Sequence, residues 1–208
     1  MENCDIEAIV EGILFASGEP VAVGRIAAVL AASEDAVTAA ANALRDRYSF
    51  EHRGIRLVWL DGAIQLCSAP EYADYIRLAL ETRKQPQLTQ PALEALAVVA
   101  YFQPVTKAYI EQIRGVDSSY TVGLLQDRGL VEACGRLAVP GRPVLYRTTS
   151  AFLRTFGLES LDDLSELPET EENEAGLNIQ SAIQALNEKA PELTDAVGEI
   201  TETDGEPV

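Results

Sequence analysis

The sequence is poor in the residues that build metal and redox sites. It contains one histidine, His52, and three widely separated cysteines, Cys4, Cys67 and Cys134. A single histidine excludes a His-rich metal site and a second imidazole for catalysis. An odd number of distant cysteines fits reduced thiols better than a disulfide framework. We therefore predict no metal, no cofactor and no disulfide.

The common catalytic and nucleotide-binding motifs are also missing. The chain has no G-x-S-x-G, no G-x-x-x-x-G-K-[ST], no G-x-G-x-x-G and no C-x-x-C. His52, between two charged neighbours, and the Asp162-Asp163 pair both suit solvated surface positions. We predict no catalytic residue. An enzyme with an unrecognised site that uses His52 is the less favoured alternative.

Long apolar runs are absent as well. None approaches the roughly 18 to 20 residues that span a bilayer, and the N-terminal stretch MENCDIEAIVEGILF carries acids where a signal peptide is basic. These features predict a cytoplasmic protein without a membrane partner.

Basic residues are scarce, and the acidic excess is uneven. Residues 1–158 hold 18 acids and 15 bases, whereas residues 159–208 hold 15 acids and only Lys189, which gives the net charge of -17. No basic stripe of the kind that neutralises phosphates is present, so direct DNA binding is predicted to be weak or absent.

The last segment, 168–208, has the polar, acidic composition of a disordered tail. Ile179, Ile183 and Leu186 within it follow the i, i+4, i+7 spacing of a helix face. They predict either a helix that folds on a partner or, preferably, a fluctuating segment.

The most informative stretch is residues 128–149, RGLVEACGRLAVPGRPVLYRTT, which reads as a β-hairpin after a helix. Leu130-Val131 begins one strand, and Val144 to Thr148 forms the other. Gly135, Pro140, Gly141 and Pro143 punctuate the connection. A hairpin that follows helices in this way predicts a winged-helix unit.

A similar unit precedes it. Apolar periodicity and caps predict helices over 6–16, 23–31 and 33–48, followed by strands 55–60 and 63–67 around a type I′ Asp61-Gly62 turn and a closing helix over 71–80.

Pro20-Val21 in the first unit corresponds to Pro104-Val105 in the second at an offset of 84 residues, as an internal duplication would produce. We predict an α+β protein, mainly α with small β-hairpin wings. Its parts are a first winged-helix domain (1–80), a linker (81–87), a second winged-helix domain (88–167) and the acidic tail (168–208).

The first hairpin raises the question of what covers it. Ile55, Leu57 and Trp59 share one strand face, while Val58 and Leu60 make the other face apolar too. Either a second copy of the chain or the closing helix 71–80 covers the second face. We predict a dimer interface at Val58, Trp59 and Leu60.

The third helix of each unit would enter the major groove if the protein read DNA. Those helices begin with Glu34-Asp35 and with Asp117-Ser118, which would meet phosphates with carboxylates. Arg136, Arg142 and Arg147 of the second wing are the remaining candidates for phosphate contact. A winged-helix transcription regulator that binds DNA is therefore the alternative function.

Four segments closely resemble one known family. They are ILFASGEPV (13–21), LTQPALEALAVVAYFQPVTKAYIEQIRGV (88–116), RGLVEACGRLAVPGRPVLY (128–146) and FLRTFGLESLDDL (152–164). Over roughly residues 5–167 the chain resembles segregation and condensation protein B, ScpB, an accessory subunit of the bacterial condensin.

The resemblance implies a non-enzymatic homodimer that pairs through its first units and supports chromosome condensation and segregation. The second units would grip the kleisin ScpA, which bridges the SMC ATPase heads, at the nucleoid. Aromatic and arginine side chains are typical interface anchors. The candidate ScpA contacts are Tyr101, Arg114, Arg142, Tyr146 and Phe152.

Overall fold

The computed structural model describes residues 3–80 and 86–165, together with Leu186 and Lys189. These residues contain eight α-helices and two three-stranded antiparallel sheets, which confirms the predicted mainly α fold with small wings. Positions 81–85 of the predicted linker, and all of the predicted tail except Leu186 and Lys189, lie outside the described residues.

The first unit begins with three helices, as its caps and periodicity predict. Ser33 Oγ accepts a hydrogen bond from the Ala36 amide (3.2 Å) and starts the third helix. Asp61 and Gly62 both have positive φ angles, 51° and 73°, as a type I′ turn requires. The elements are α1 (Asn3–Ser17), β1 (Val21–Ala22), α2 (Val23–Leu30), α3 (Glu34–Phe50), β2 (Ile55–Leu60), β3 (Ala63–Ser68) and α4 (Ala73–Ala79).

The second unit repeats this order. Thr106 caps its second helix by accepting from the Tyr109 amide (3.2 Å), and Gly115 ends that helix with a φ of 72°. The elements are α5 (Gln90–Phe102), β4 (Val105–Thr106), α6 (Lys107–Arg114), α7 (Ser119–Asp127), β5 (Val131–Arg136), β6 (Val144–Thr148) and α8 (Ser150–Phe156).

Strands β1 and β4 were not predicted, because two extended residues carry no periodicity. Each adds a third strand to its wing, with Val21 opposite Ile64 and Val105 opposite Tyr146. The sheets have the same order, β1-β3-β2 and β4-β6-β5. The 84-residue offset therefore relates β1 and α2 to β4 and α6 residue by residue.

The first three helices match their predicted bounds to within three residues at each end, whereas the closing helix of the first unit differs. The predicted closing helix over 71–80 is instead a 3₁₀ turn, Pro70–Tyr72, followed by α4, which ends at Ala79. Helix α7 ends at Asp127, two residues before Gly129, which has the left-handed backbone that stops it.

The two faces of the first hairpin pack on different cores. Leu57, Trp59 and Ile64 contact the core of the first unit. Val58 and Leu60 contact the core of the second unit, where α8 lies against β2, and Leu60 is only 2% exposed. The cover is thus neither a second chain nor the helix after the hairpin, because the second unit of the same chain occupies this face.

Polar contacts reinforce this junction between the units. Arg154 Nη1 of α8 donates to Oε1 of Gln65, a buried residue of β3, at 2.9 Å. The Asp61 amide donates to the Glu159 carbonyl at 2.8 Å, and Arg45 Nη1 lies 3.3 Å from Glu159 Oε1. The junction is therefore built from both apolar packing and directional bonds.

One described residue of the predicted tail has a defined place. Leu186 is helical and fully buried against the core of the second unit of the same chain, which corrects the preferred prediction of a fluctuating segment at this residue. Ile179 and Ile183, which share that predicted face, lie outside the described residues.

Candidate partner-binding surfaces

Helix α1 presents an apolar face to solvent on the side opposite the core. Ile6, Val10 and Leu14 point inward, while Phe15 is 82% exposed and Ile9 37% exposed. Between these two lies Gly12, where an added Cβ would meet no atom within 4 Å. With Ala8 and Ala16 on the same face, the helix offers a flat surface that another helix can approach closely.

Helix α4 is a second exposed apolar element of the same unit. None of its residues is buried. Tyr75 is 73% exposed and Leu78 79% exposed, with Leu80 just beyond the helix at 67%. Large contiguous apolar surface on a soluble domain typically marks a contact with another protein.

Two of the predicted ScpA contacts point into the protein. Phe152 is fully buried and stacks at 4.8 Å (ring centroids) on Phe156 in the core of the second unit. The Arg114 side chain is 3% exposed. Neither residue offers surface to a partner in this fold, so both predictions were wrong. Residue type and periodicity do not by themselves distinguish a buried core residue from an exposed interface anchor.

Arg114 instead connects three of the four α-helices that the structure describes in the second unit. Its guanidinium donates to Glu94 Oε2 of α5 at 3.1 and 3.3 Å and to Ser118 Oγ before α7 at 2.6 Å. The Ser118 amide in turn donates to Glu111 Oε1 of α6 at 3.2 Å. A guanidinium with several fixed acceptors is a rigid connector, and here it joins α5 and α6 to the residue that precedes α7.

The other three predicted contacts reach the surface to different degrees. Tyr101 is half-buried and donates its hydroxyl to the Ser165 carbonyl at 3.0 Å, and burial raises the pKa of this tyrosine. Tyr146 is half-buried on the central strand β6. Arg142 is exposed at the wing tip with a φ of 41°. Their role as ScpA contacts stays a prediction.

Exposed residues of the second unit that the sequence reasoning missed lie around α6 and α7. Tyr120, in the first turn of α7, is 82% exposed, and Val116 before it is 54% exposed. Phe102 at the end of α5 packs on Tyr109 with ring centroids 5.9 Å apart. The signal for Tyr120 was its position, since the first turn of a third helix faces outward in this fold.

The DNA-binding candidates of the second wing are largely occupied. Arg147 Nε lies 2.8 Å from Glu132 Oε1, and this carboxylate raises the pKa of Arg147. Arg136 Nη1 donates to the Arg142 carbonyl at 3.1 Å. Helix α3 exposes Glu34 at its start, so neither the wing nor this helix presents the positive surface that a duplex needs.

The described ranges contain neither a metal-ligating cluster nor a membrane-spanning helix. No cluster of three or more metal-ligating side chains occurs there. None of the helices described there has the length and hydropathy of a membrane span.

Comparison with known proteins gives a consistent answer. Residues 8–167 match the family model for "Segregation and condensation complex subunit ScpB". Segregation and condensation protein B of Ruminiclostridium cellulolyticum is 39% identical over 189 residues, 91% of this chain and 98% of that protein. The Clostridium acetobutylicum protein of the same name is 40% identical over 158 residues, 76% of this chain and 78% of that protein.

Solved structures were found as well. The crystal structure of ScpB from Mycobacterium tuberculosis is 30% identical and covers 76% of this chain and 98% of that one, with a TM-score of 0.38. The dimer of a ScpB N-terminal domain complexed with ScpA peptide is 39% identical and covers 35% of this chain and 91% of that one, with a TM-score of 0.34.

Proposed function

Because this chain belongs to the family of segregation and condensation complex subunit ScpB, we propose that it is a non-enzymatic scaffold in chromosome segregation and condensation. It acts in the cytoplasm, at the nucleoid, as a homodimer that binds the kleisin ScpA and, through it, the SMC ATPase. Its task is to present surfaces, and ATP hydrolysis belongs to SMC.

The observation that carries this proposal is the exposed apolar surface of the first unit on α1 and α4. Phe15, Tyr75 and Leu78 are each more than 70% exposed. Covering such side chains with a partner lowers the free energy by about 25 cal/mol for each Å² of apolar surface removed from water. A second copy of the chain is the simplest partner, because two identical faces of α1 can pack symmetrically.

The dimer interface is therefore proposed on α1 and not at the first hairpin. Val58 and Leu60 already pack inside the chain, whereas Gly12 leaves room for close contact between helices. The surface proposed for ScpA lies on the second unit and includes Tyr101, Tyr146 and Arg142.

Gly12→Gln tests the dimer without damaging the monomer. A glutamine replaces glycine in an exposed helix position and should stabilise α1 by about 0.5–1 kcal/mol. Its side chain would hold two α1 helices apart. We therefore expect the dissociation constant of the dimer, measured by sedimentation equilibrium, to rise at least tenfold. Ser49→Gln, an exposed position of α3, is the matched control.

Binding of purified ScpA, measured by calorimetry, tests the second part. We expect saturable binding in the micromolar range or tighter, weakened by Tyr146→Ala. A monomer that also ignores ScpA would overturn the proposed function. Tight, steeply salt-dependent binding of duplex DNA that is lost in Arg142→Ala would favour the transcription-regulator alternative instead.

A further inference from the structure

A cleft of about 530 Å³ lies at the junction between the two units, and its walls are rich in arginine. It is bounded by the second half of α3, strand β2, the turn at Pro70–Tyr72 and the end of α8. Four guanidinium groups line it against two carboxylates: Arg45, Arg53, Arg56 and Arg154 against Glu71 and Glu159. This surplus of positive charge stands out in a chain whose net charge is -17.

Among the residues that the structure describes, two of the four arginines pair with no carboxylate. Arg45 lies near Glu159, and Arg53 pairs with Glu51 at 2.6 Å. Within the ranges that the structure describes, Arg56 and Arg154 form no ion pair. Arg154 uses one N–H on Gln65, which leaves further donors of a group that carries five.

These two arginines come from different units and converge. Arg56 lies opposite Cys67 across the β2–β3 pair, and Arg154 reaches the same sheet face through Gln65. Burial raises the pKa of Cys67, and the charges of Arg154 and Arg56 oppose that rise. Two positive charges held close together in a cleft create a focused field that favours an anion.

The shape of the cleft suits an acidic peptide better than a small ion. A volume of 530 Å³ admits several residues, and Trp59 and Tyr72 contribute aromatic surface beside the guanidinium groups. Guanidinium groups bind carboxylates through paired hydrogen bonds.

The chain itself contains such a peptide. Residues 190–208 contain six acids and no base: Glu192, Asp195, Glu199, Glu202, Asp204 and Glu206.

This segment starts immediately after Lys189. The charge of Lys189 helps to lower the pKa of Asp163, after the amides of Ser160 and Glu159. Asp163 Oδ2 accepts from the Glu159 amide at 2.8 Å, and Glu159 lines the cleft.

We propose that the acidic segment 190–208 binds in this arginine-lined cleft of its own chain. Fully extended, the 19 residues of this segment would span roughly 60 Å, so its length permits entry into the cleft from Lys189. Tethering gives it an effective concentration on the order of millimolar, so even weak intrinsic affinity fills the cleft. The bound segment would bridge both units and shield the arginines from other anions. The inference does not depend on the proposed function.

A labelled peptide of residues 190–208 tests the inference by fluorescence anisotropy. Two full-length proteins are compared: the natural chain and a chain whose six acids between 190 and 208 are changed to Gln or Asn. We expect the neutralised chain to bind the peptide at least tenfold more tightly, because its own segment no longer competes. Raising the salt concentration should weaken that binding.

Arg56→Gln in the neutralised chain should reduce peptide affinity at least fivefold. Arg25→Gln, an exposed position on α2 outside the cleft, should leave it unchanged. Equal binding to the natural and neutralised chains would overturn the inference, as would equal binding of a peptide with amides in place of its acids. So would a DNA duplex that displaces the peptide from the cleft at lower concentration.

Discussion

The two winged-helix units have one topology but use their surfaces in opposite ways. The first leaves large hydrophobic side chains exposed on α1 and α4, among them Phe15 and Leu78. The second encloses its best anchor candidates, Phe152 and Arg114, and ties its helices with an internal ion pair. A duplicated fold therefore conserves strand order and helix order while each copy distributes its apolar surface independently.

The two wings also differ in how much of their surface is covered by the rest of the chain. The first wing closes with the two-residue Asp61-Gly62 turn and packs on both faces. The second carries a bulge between Ala133 and Gly135 and leaves most of β5 exposed. A bulge bends and twists a strand away from its neighbour, so the second wing projects while the first is buried in the junction.

The largest expected effect contrasts the two phenylalanines. Phe152→Ala should lower the free energy of unfolding by about 3–5 kcal/mol, because it leaves a cavity in a closed core. Phe15→Ala, at an exposed position, should change it by less than about 0.5 kcal/mol in the monomer. Urea denaturation of both variants measures the difference. Similar small losses for both would place Phe152 at the surface.

Leu60→Ala separates packing within the chain from dimerisation. The leucine is buried against the second unit, so its truncation should cost about 2–4 kcal/mol. The dissociation constant of the dimer, measured by sedimentation equilibrium, should stay within twofold of that of the natural protein. If the variant kept the stability of the natural protein but sedimented as a monomer, the dimer interface would lie at the first hairpin.

Arg114→Ala should destabilise the second unit by about 2–4 kcal/mol, because it leaves Glu94 and Ser118 without their partner in a mostly buried site. Arg142→Ala, at the exposed wing tip, is the matched control and should be nearly neutral. Chemical denaturation measures the loss of stability, and calorimetry measures ScpA binding, so together they distinguish a structural role of Arg114 from a role as a ScpA contact. Full stability with lost ScpA binding would identify Arg114 as a contact after all.

The smallest effect concerns alkaline pH and two tyrosines, one in each unit. Burial, with the Glu11 carboxylate nearby, raises the pKa of Tyr48 above its ordinary value. Its contribution to stability is therefore present below pH of about 10, the pKa in the unfolded chain, and is lost as the pH rises through the folded value. Burial alone raises the pKa of Tyr101.

The natural protein should thus lose stability between about pH 9 and pH 11 more steeply than Tyr48→Phe. Tyr101→Phe should flatten the curve less. Urea midpoints across this range measure both slopes, and parallel curves for Tyr48→Phe and the natural protein would contradict the assignment.

Local order was predictable because its causes lie within a few residues. Ser33 and Thr106 begin helices through hydrogen bonds of their own side chains, and Gly115 ends one because a residue without a Cβ adopts a positive φ easily. The Asp61-Gly62 turn fixes the hairpin register in the same way. The family resemblance also followed from contiguous segments, and the match over residues 8–167 confirms it.

The candidate site was less predictable, because exposure is not a local property. Phe152 and Phe15 are both phenylalanines on amphipathic helices, yet one is fully buried and the other 82% exposed. The two-residue strands β1 and β4 have no pattern of their own and exist only because a hairpin edge is beside them.

The sequence alone therefore determined the two units, their order and their family, since caps, turns and periodicity act through neighbours in the chain. Only the tertiary structure decided which faces remain free. The apolar face of Val58 and Leu60 is covered by α8, about ninety residues further along the chain. The same packing brings Arg56 and Arg154 to one cleft. Burial depends on what the rest of the chain brings to a surface, and no local pattern contains that information.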